Sequence, residues 1–268
     1  MDREVILNKY EDEEKIFAAQ VLDKIRLAKT RNQIVETDFL DMYKQKIAKE
    51  LLCANKEKNY TFYKVDENLD KALLFVYPEK YKILFDEEKI DYSKYINIIR
   101  IKLPNELKEK YSHKDYLSGI MKLGIKREKI GDIIVFYDSA DIIVKSDICE
   151  YIFENLKTLT RFSKATFSIE NISNLRKPQI NVETKRITVS SVRLDNVVSE
   201  IANCSRTEAS NLIKEQRVYI NYEKEDRNSR FLNENDIIVL RGKGKFKISK
   251  MLGETKKGKV ALEIEHYV

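Results

Sequence analysis

Residues 191–222 read SVRLDNVVSEIANCSRTEASNLIKEQRVYINY, and the fold of the C-terminal part of the chain follows from this stretch. Leu194, Val197, Val198 and Ile201 recur at the i, i+3, i+4 and i+7 positions of one helical face, with Ser191 placed to cap it. Asn203 and Cys204 break the pattern, and Ser205-Arg206-Thr207-Glu208 then has the spacing of a capping box. In such a box the serine hydroxyl accepts from the Glu208 amide while the glutamate reaches back to the Ser205 amide. Ala209, Leu212 and Ile213 make the inner face of this second helix. A strand is expected over 217–222, where Val218, Ile220 and Tyr222 alternate; Asn235-Asp236 turns into another over 237–241, and Gly242-Lys243-Gly244-Lys245 turns again. Residues 246–268 read as a hairpin around Lys256-Lys257-Gly258.

Upstream, 170–187 is polar, contains Pro178 and reads as a linker or connecting strand. Before it the order is strand (95–102), helix (113–123), strand (133–137), strand (142–145), helix (147–157), strand (164–169). This β-α-β-β-α-β order is that of a ferredoxin-like, RRM-like domain, although no aromatic motif of the RNP type stands on its central strands. The first 80 residues predict helices over 12–30 and 38–52, the second capped by Thr37, and strands over 60–65 and 72–77 before Pro78. The fold class is therefore α+β in three small domains: N-terminal α+β (1–80), central RRM-like (81–172), a linker (173–187) and a C-terminal module (188–268).

The chain has 268 residues, 43% of them hydrophobic and 35% charged, enough to bury several small cores. No apolar run is long enough to cross a bilayer, the start Met1-Asp2-Arg3-Glu4 lacks a signal-peptide pattern, and a cytoplasmic location is expected. Three distant cysteines and two histidines predict neither a disulfide framework nor a zinc site, so no metal and no cofactor is expected. The net charge is +6, and its placement matters more than its size. Residues 1–172 hold 31 Lys and Arg against 31 Asp and Glu, whereas 173–268 hold 19 against 13. The whole excess lies in the C-terminal third, which suggests a polyanion partner there.

Two adjacent helix starts favour an anion, and each carries a guanidinium in its first turn, Arg193 on one and Arg206 on the other. Lys214, Arg217, Lys243 and Lys245 can continue the basic track, and Gly242 and Gly244 allow close approach of the backbone. Ser205 and Asn221 are further candidates for RNA contact; the first is also a helix cap and the second also fits a turn. Asp195 reads as an ion-pair partner rather than a catalytic group. Lys126 and Arg127, at a helix end, are either a second backbone contact or a solvated charge run.

The ordered pattern Arg-Leu-Asp (193–195), Ser-Arg (205–206), Arg-Val-Tyr-Ile-Asn (217–221) and DIIVLRGKGK (236–245) closely resembles the RNA-binding domain of ribosomal protein uS4. It departs at Gln216, where that family often has glycine. With His113-Lys-Asp-Tyr-Leu117 and LGIKREKIGD (123–132) ahead of it, nearly the whole chain resembles the YlmH family, bacterial proteins often encoded near cell-division genes and with cyanobacterial relatives linked to photosystem II. The resemblance implies an RNA-binding central domain, association with rRNA or tRNA on the large ribosomal subunit, and rescue of stalled peptidyl-tRNA complexes.

Enzymatic readings fare less well. Arg-Leu-Asp at 193–195 resembles a pseudouridine synthase loop but runs into an amphipathic helix, Lys247–Met251 resembles a class I synthetase loop without its His-x-Gly-His partner, and His113 and Asp115 point apart at i, i+2. The expectation is a non-catalytic, monomeric RNA-binding protein without DNA preference or membrane attachment. The alternatives are an RNA-modifying enzyme using Asp132 or Asp138 in the central domain, and a cell-division adaptor with secondary RNA binding.

Overall fold

The computed structural model describes residues 3–177, 182–256 and 258–267. It forms two compact units, Met1–Pro178 and Gln179–Val268. Among the described residues no helix is long and apolar enough to cross a membrane.

The first unit opens with α1 (Arg3–Leu7), α2 (Asp12–Arg31), β1 (Val35–Glu36), α3 (Met42–Ala54), β2 (Tyr60–Tyr63) and β3 (Leu73–Val76), the strands forming an antiparallel sheet in the order β1-β3-β2. The apolar stripe of α2 (Phe17, Val21, Leu22, Ile25) packs with Ile47, Ala48, Leu51 and Leu52 of α3. This second helix starts later than the sequence suggests, because Asp41 is its cap, accepting from the Lys44 amide at 2.8 Å. Thr37 is instead drawn to the sheet. Its Oγ1 accepts from the Leu74 amide at 3.0 Å, and its own amide donates to the Leu74 carbonyl at 2.9 Å.

After α4 (Lys82–Asp86) come β4 (Ile96–Lys102), α5 (His113–Met121), β5 (Ile130–Phe136), β6 (Ser139–Lys145), α6 (Ser146–Leu156) and β7 (Thr166–Asn171). The sheet order is β5-β6-β4-β7 with every pair antiparallel, which is the split β-α-β arrangement read from the element order. Helices α5 and α6 cover one face, packing Tyr116, Ile120, Ile152 and Leu156 on Ile99, Ile101, Ile142 and Val144. Gly119 is needed there, since a Cβ would lie 2.6 Å from the Phe162 ring.

The other face is also buried. Ile96, Ile134 and Ile143 form one core with Phe39, Leu73, Phe75, Tyr77 and Phe85. The boundary expected near residue 80 therefore runs through a shared hydrophobic core, and the first 80 residues cover the central sheet. Polar ties follow the same seam: the Phe39 amide donates to the Glu128 carbonyl at 2.8 Å, and Lys145 Nζ reaches Glu36 Oε1 at 2.9 Å.

The second unit comprises β8 (Val182–Val189), α7 (Leu194–Ala202), α8 (Arg206–Lys214), β9 (Val218–Ile220), β10 (Glu223–Lys224), β11 (Ile237–Leu240), β12 (Gly244–Glu254) and β13 (Val260–Tyr267). The strands form one sheet in the order β10-β9-β11-β12-β13-β8, and α7 and α8 pack on one face through Leu194, Val197, Val198, Ala209 and Ile213. Of the segment read as a linker or connecting strand, the described part supplies β8, which pairs with β13 from Val260↔Val189 to Tyr267↔Val182, while 178–181 lie outside the described residues. Strands β12 and β13 pair as the C-terminal hairpin, and they extend the module's sheet because β11 pairs with β12 over Ile237–Leu240; Lys257 of the expected turn lies outside the described residues.

Candidate nucleic-acid interface

Helix α7 begins at Leu194 with Arg193 as its N-cap, not Ser191. Ser191 instead accepts from the Asn196 side-chain amide through its Oγ at 2.8 Å. Asp195 stands in the first turn, where a carboxylate suits the helix dipole, and it is almost wholly buried. Its Oδ1 accepts from Arg193 Nε and from the Asn196 amide, both at 3.1 Å; its Oδ2 accepts from Arg193 Nη2 at 3.2 Å and Arg206 Nη2 at 2.7 Å. Burial pushes this carboxyl up, and the hydrogen bonds from Arg206 and Arg193 outweigh it, so it is held below the usual carboxylate range.

The two arginines expected to arm neighbouring helix starts are thus together, fastened to one carboxylate. This corrects the expected chemistry in one respect. At α7 the helix-start amides are not an open anion cradle: the Leu194 amide donates to the Arg230 carbonyl at 2.8 Å and the Asp195 amide to the Asn228 carbonyl at 3.2 Å. At α8 the capping box forms as the spacing predicts, with the Glu208 amide donating to Ser205 Oγ at 3.2 Å and the Ser205 amide to Glu208 Oε2 at 2.9 Å. The Ser205 hydroxyl also donates to Glu208 Oε2 at 3.0 Å, so its capping role occupies it. Among the side chains of the two helix starts, the guanidinium groups are what remains for a ligand. The Arg206 side chain is 60% exposed and engages Asp195 through Nη2 alone; that of Arg193 is 37% exposed.

A second fastener lies beside the first, on the loop 225–232 that sequence reading passes over as a charged connection. Glu225 is buried, and its Oε1 accepts from Arg227 Nε at 2.9 Å while its Oε2 accepts from Arg230 Nη1 at 2.6 Å. The hydrogen bond from Arg227 leads in bringing this carboxyl down to about 2, against burial and with help from Arg230. The loop is laid against the start of α7 by an antiparallel bridge, Arg193↔Phe231, and by the Leu232 amide donating to the Val192 carbonyl at 2.9 Å. Four guanidinium groups, two buried carboxylates and the exposed ring of Phe231 therefore share one region. The alternation of acids and arginines in Glu225-Asp-Arg-Asn-Ser-Arg230 is the signal that could have pointed to it.

The remaining candidates divide. Lys214 ends the nine-residue α8, about 12 Å from Arg206 at the helical rise. Near that end the exposed Arg217 donates from Nη2 to the Arg241 carbonyl at 3.4 Å, beside the turn that carries Lys243. The glycines of that turn serve its geometry: Gly242 and Gly244 have φ of 86° and 112°, and a Cβ on Gly244 would lie 3.0 Å from the His266 ring. Lys245 alternates with the core residue Phe246, so it stands on the sheet face away from the helices, with Nζ 5.1 Å from the Tyr267 ring centre and 5.6 Å from that of Tyr222. It does not join the helix-start set. Asn221 closes a turn: its Nδ2 donates to Asp236 Oδ1 at 2.8 Å and its Oδ1 accepts from the Ile237 amide at 2.9 Å. Gln216 takes φ 54°, the left-handed backbone that a glycine adopts without strain.

In the first unit, Arg127 is turned inward, with Nη1 donating to the Ile130 carbonyl at 2.9 Å beside Lys71 Nζ at 2.7 Å from the same oxygen. That contact engages its Nη1, whereas Lys126 is exposed and lines a cleft of about 360 Å³ with Lys24, Lys44 and Phe17. Burial pushes the Lys71 ammonium down to about 7 and raises the Asp132 carboxyl. Asp138 accepts from Ser139 Oγ at 2.8 Å. Since both faces of the central sheet are covered, that sheet offers no open platform for stacking bases.

Comparison with known proteins gives this geometry its context. The family model described as "Putative RNA-binding domain in YlmH" matches residues 88–176, and the S4 domain model matches 192–238, a span that contains both fasteners. Over 262 residues the chain is 27% identical to the ribosome-associated protein quality control protein P2 of Bacillus subtilis, covering 97% of this chain and 98% of that one. A solved structure, the cell division protein ylmH from Streptococcus pneumoniae, is similar at a TM-score of 0.48 with 17% identity, over 63% of this chain and 97% of that one. The chain thus carries a domain of the kind described for YlmH followed by an S4 domain, and it is similar almost end to end to a ribosome-associated quality control protein.

Proposed function

We propose that this chain is a non-catalytic RNA-binding protein that acts on the ribosome, gripping rRNA or tRNA on the large subunit during rescue of stalled peptidyl-tRNA complexes. The supporting observation is the pair of arginines, the half-buried Arg193 and the exposed Arg206, held side by side by the buried Asp195. A carboxylate shared by two guanidinium groups leaves one net positive charge and aims the unengaged N–H groups outward. That suits phosphate oxygens, which guanidinium groups bind in a planar, directional way. The near end-to-end likeness to a ribosome-associated quality control protein supports the setting.

Cosedimentation of the full chain with ribosomal subunits tests the reading. Binding is expected to weaken steeply with salt, and Arg206→Ala is expected to reduce affinity and lower the slope of log K against log salt by about one. Binding indifferent to salt and to Arg206 would overturn it. A second reading, RNA modification in the first unit, draws on the half-buried Lys71, whose amide donates to Asp132 Oδ2 at 3.4 Å and whose charge acts on His113. It predicts a change in the modified nucleosides of rRNA or tRNA when the protein is removed.

A further inference from the structure

Among the described residues, Phe231 is the most exposed large apolar side chain, at 65%. It is held in that position. Its neighbours along the chain turn inward, Arg230 to Glu225 and Leu232 into the core of the second unit. Its cross-strand partner in the bridge is Arg193, and directly opposed residues of an antiparallel pair project to the same side, with Cβ atoms about 4.5–5.5 Å apart. Arg193 in turn shares Asp195 with Arg206, and Arg227, four residues before the ring, donates to Glu225. A bare aromatic ring is thus set among guanidinium groups that two buried carboxylates hold in place.

This combination discriminates between classes of partner. A protein partner would need an apolar patch with charges kept to its rim, because charged residues are depleted at the centre of such interfaces. Here cations adjoin the ring. A nucleotide out of its helix supplies both halves: a flat base for the ring, and phosphates on either side for the arginines. A base paired within an A-form helix has its faces occupied by its neighbours and cannot meet the ring.

We propose that Phe231 is a stacking platform for one unpaired base of the bound RNA, with Arg193, Arg206 and Arg227 on the phosphates that flank it. The proposal rests on the RNA-binding reading above and adds the class of RNA: a bulge, a junction or a strand end rather than uninterrupted duplex.

The test compares three short RNA hairpins of one stem sequence, one with a single bulged adenosine, one with an abasic residue at the bulge and one fully paired, bound to the full chain at fixed salt. The bulged adenosine is expected to bind about five- to hundredfold more tightly than its abasic counterpart, the range that alanine substitution of stacking aromatics gives. Phe231→Ala should remove that preference, leave the salt slope unchanged and leave the paired hairpin unaffected; Phe231→Tyr should restore the preference. Equal binding of the adenosine and abasic hairpins by the unaltered chain would overturn the stacking role while leaving arginine-dependent RNA binding standing. Failure to bind any hairpin, with no effect of Arg206→Ala, would overturn both readings. Loss of ribosome cosedimentation in Phe231→Ala with hairpin preference intact would assign the ring to a protein surface and overturn the proposal.

Discussion

Each unit contains a buried aspartate clasped by two arginines, and the two clasps differ in what they leave free. In the first unit Asp141 is completely buried; Arg100 meets it through Nε at 2.8 Å and Nη2 at 2.9 Å. Arg176 adds Nε at 3.1 Å and Nη2 at 2.5 Å. The remaining groups are engaged as well: Arg100 Nη2 also reaches the Asn174 carbonyl at 2.9 Å, Arg176 Nη1 reaches Ser139 Oγ at 2.8 Å, and the Arg176 guanidinium lies 3.9 Å over the Phe136 ring. In the second unit Asp195 holds Arg193 and Arg206 with the same chemistry, yet Arg206 gives it one N–H and keeps most of its surface in solvent. The difference teaches that an ion pair does not by itself exclude an arginine from ligand binding. Unengaged donors and exposure decide whether the clasp closes a fold or presents a surface.

The comparison can be broken first at the carboxylates. Asp141→Asn is expected to destabilise the first unit by about 3–5 kcal/mol in denaturant unfolding, since it leaves two guanidinium groups without their buried partner, while RNA binding by the folded protein is retained. A stability change below about 1 kcal/mol would show that the Asp141 clasp is no more structural than a surface pair. Glu225→Gln tests the corresponding point in the second unit, with a smaller expected loss of about 2–3 kcal/mol at neutral pH. Because the folded carboxyl lies near 2 and an unfolded one near 4.5, its contribution is present above pH 4.5 and is lost as the pH falls through about 2. The variant should therefore unfold in acid with a shallower pH dependence than the unaltered chain.

On the alkaline side the units are expected to part. Lys71 is held near 7 by burial, with Arg127 adding to the effect, against 10.5 when unfolded. The unfolded chain thus binds the extra proton above pH 7, and stability of the first unit should rise from about pH 7 to 9. Above that range the Cys149 thiol, raised to about 11 by burial, acts in the opposite direction. Thermal unfolding of Lys71→Met against pH should show the rise abolished. The smallest effect expected is at Gln216, whose left-handed backbone costs about 1 kcal/mol; Gln216→Gly should stabilise the second unit by about 0.5–1 kcal/mol and leave RNA affinity as it was.

Much of this architecture could be read before any coordinates. The helical stripe from Leu194 to Ile201, the capping box at Ser205 and the β-α-β-β-α-β order each rest on local periodicity or a short-range hydrogen bond, which a string of residues displays directly. Pro78 looks like punctuation, whereas the signal that the first 80 residues share a core with the central sheet lies in β4. Ile96, Ile98, Ile99 and Ile101 are all fully buried, and apolar residues on both faces of a strand mean a sheet covered twice. Asp195 was legible as an ion-pair residue. That one carboxylate serves arginines two and eleven positions away was not, because such a contact depends on how α7 and α8 meet. The Glu225 loop escaped for the same reason: its arginines become informative only once the bridge to Arg193 places them beside α7.

The ladder between β8 and β13 sets Val182 directly opposite Tyr267. Entry to and exit from the six-stranded sheet are therefore neighbours on one side of it, a closed-circuit topology in which removing 260–267 would strip hydrogen-bonding partners from two strands at once. The S4-type module should consequently behave as a cassette: it should tolerate being carried between the ends of a loop in an unrelated host, and should resist being trimmed from either strand.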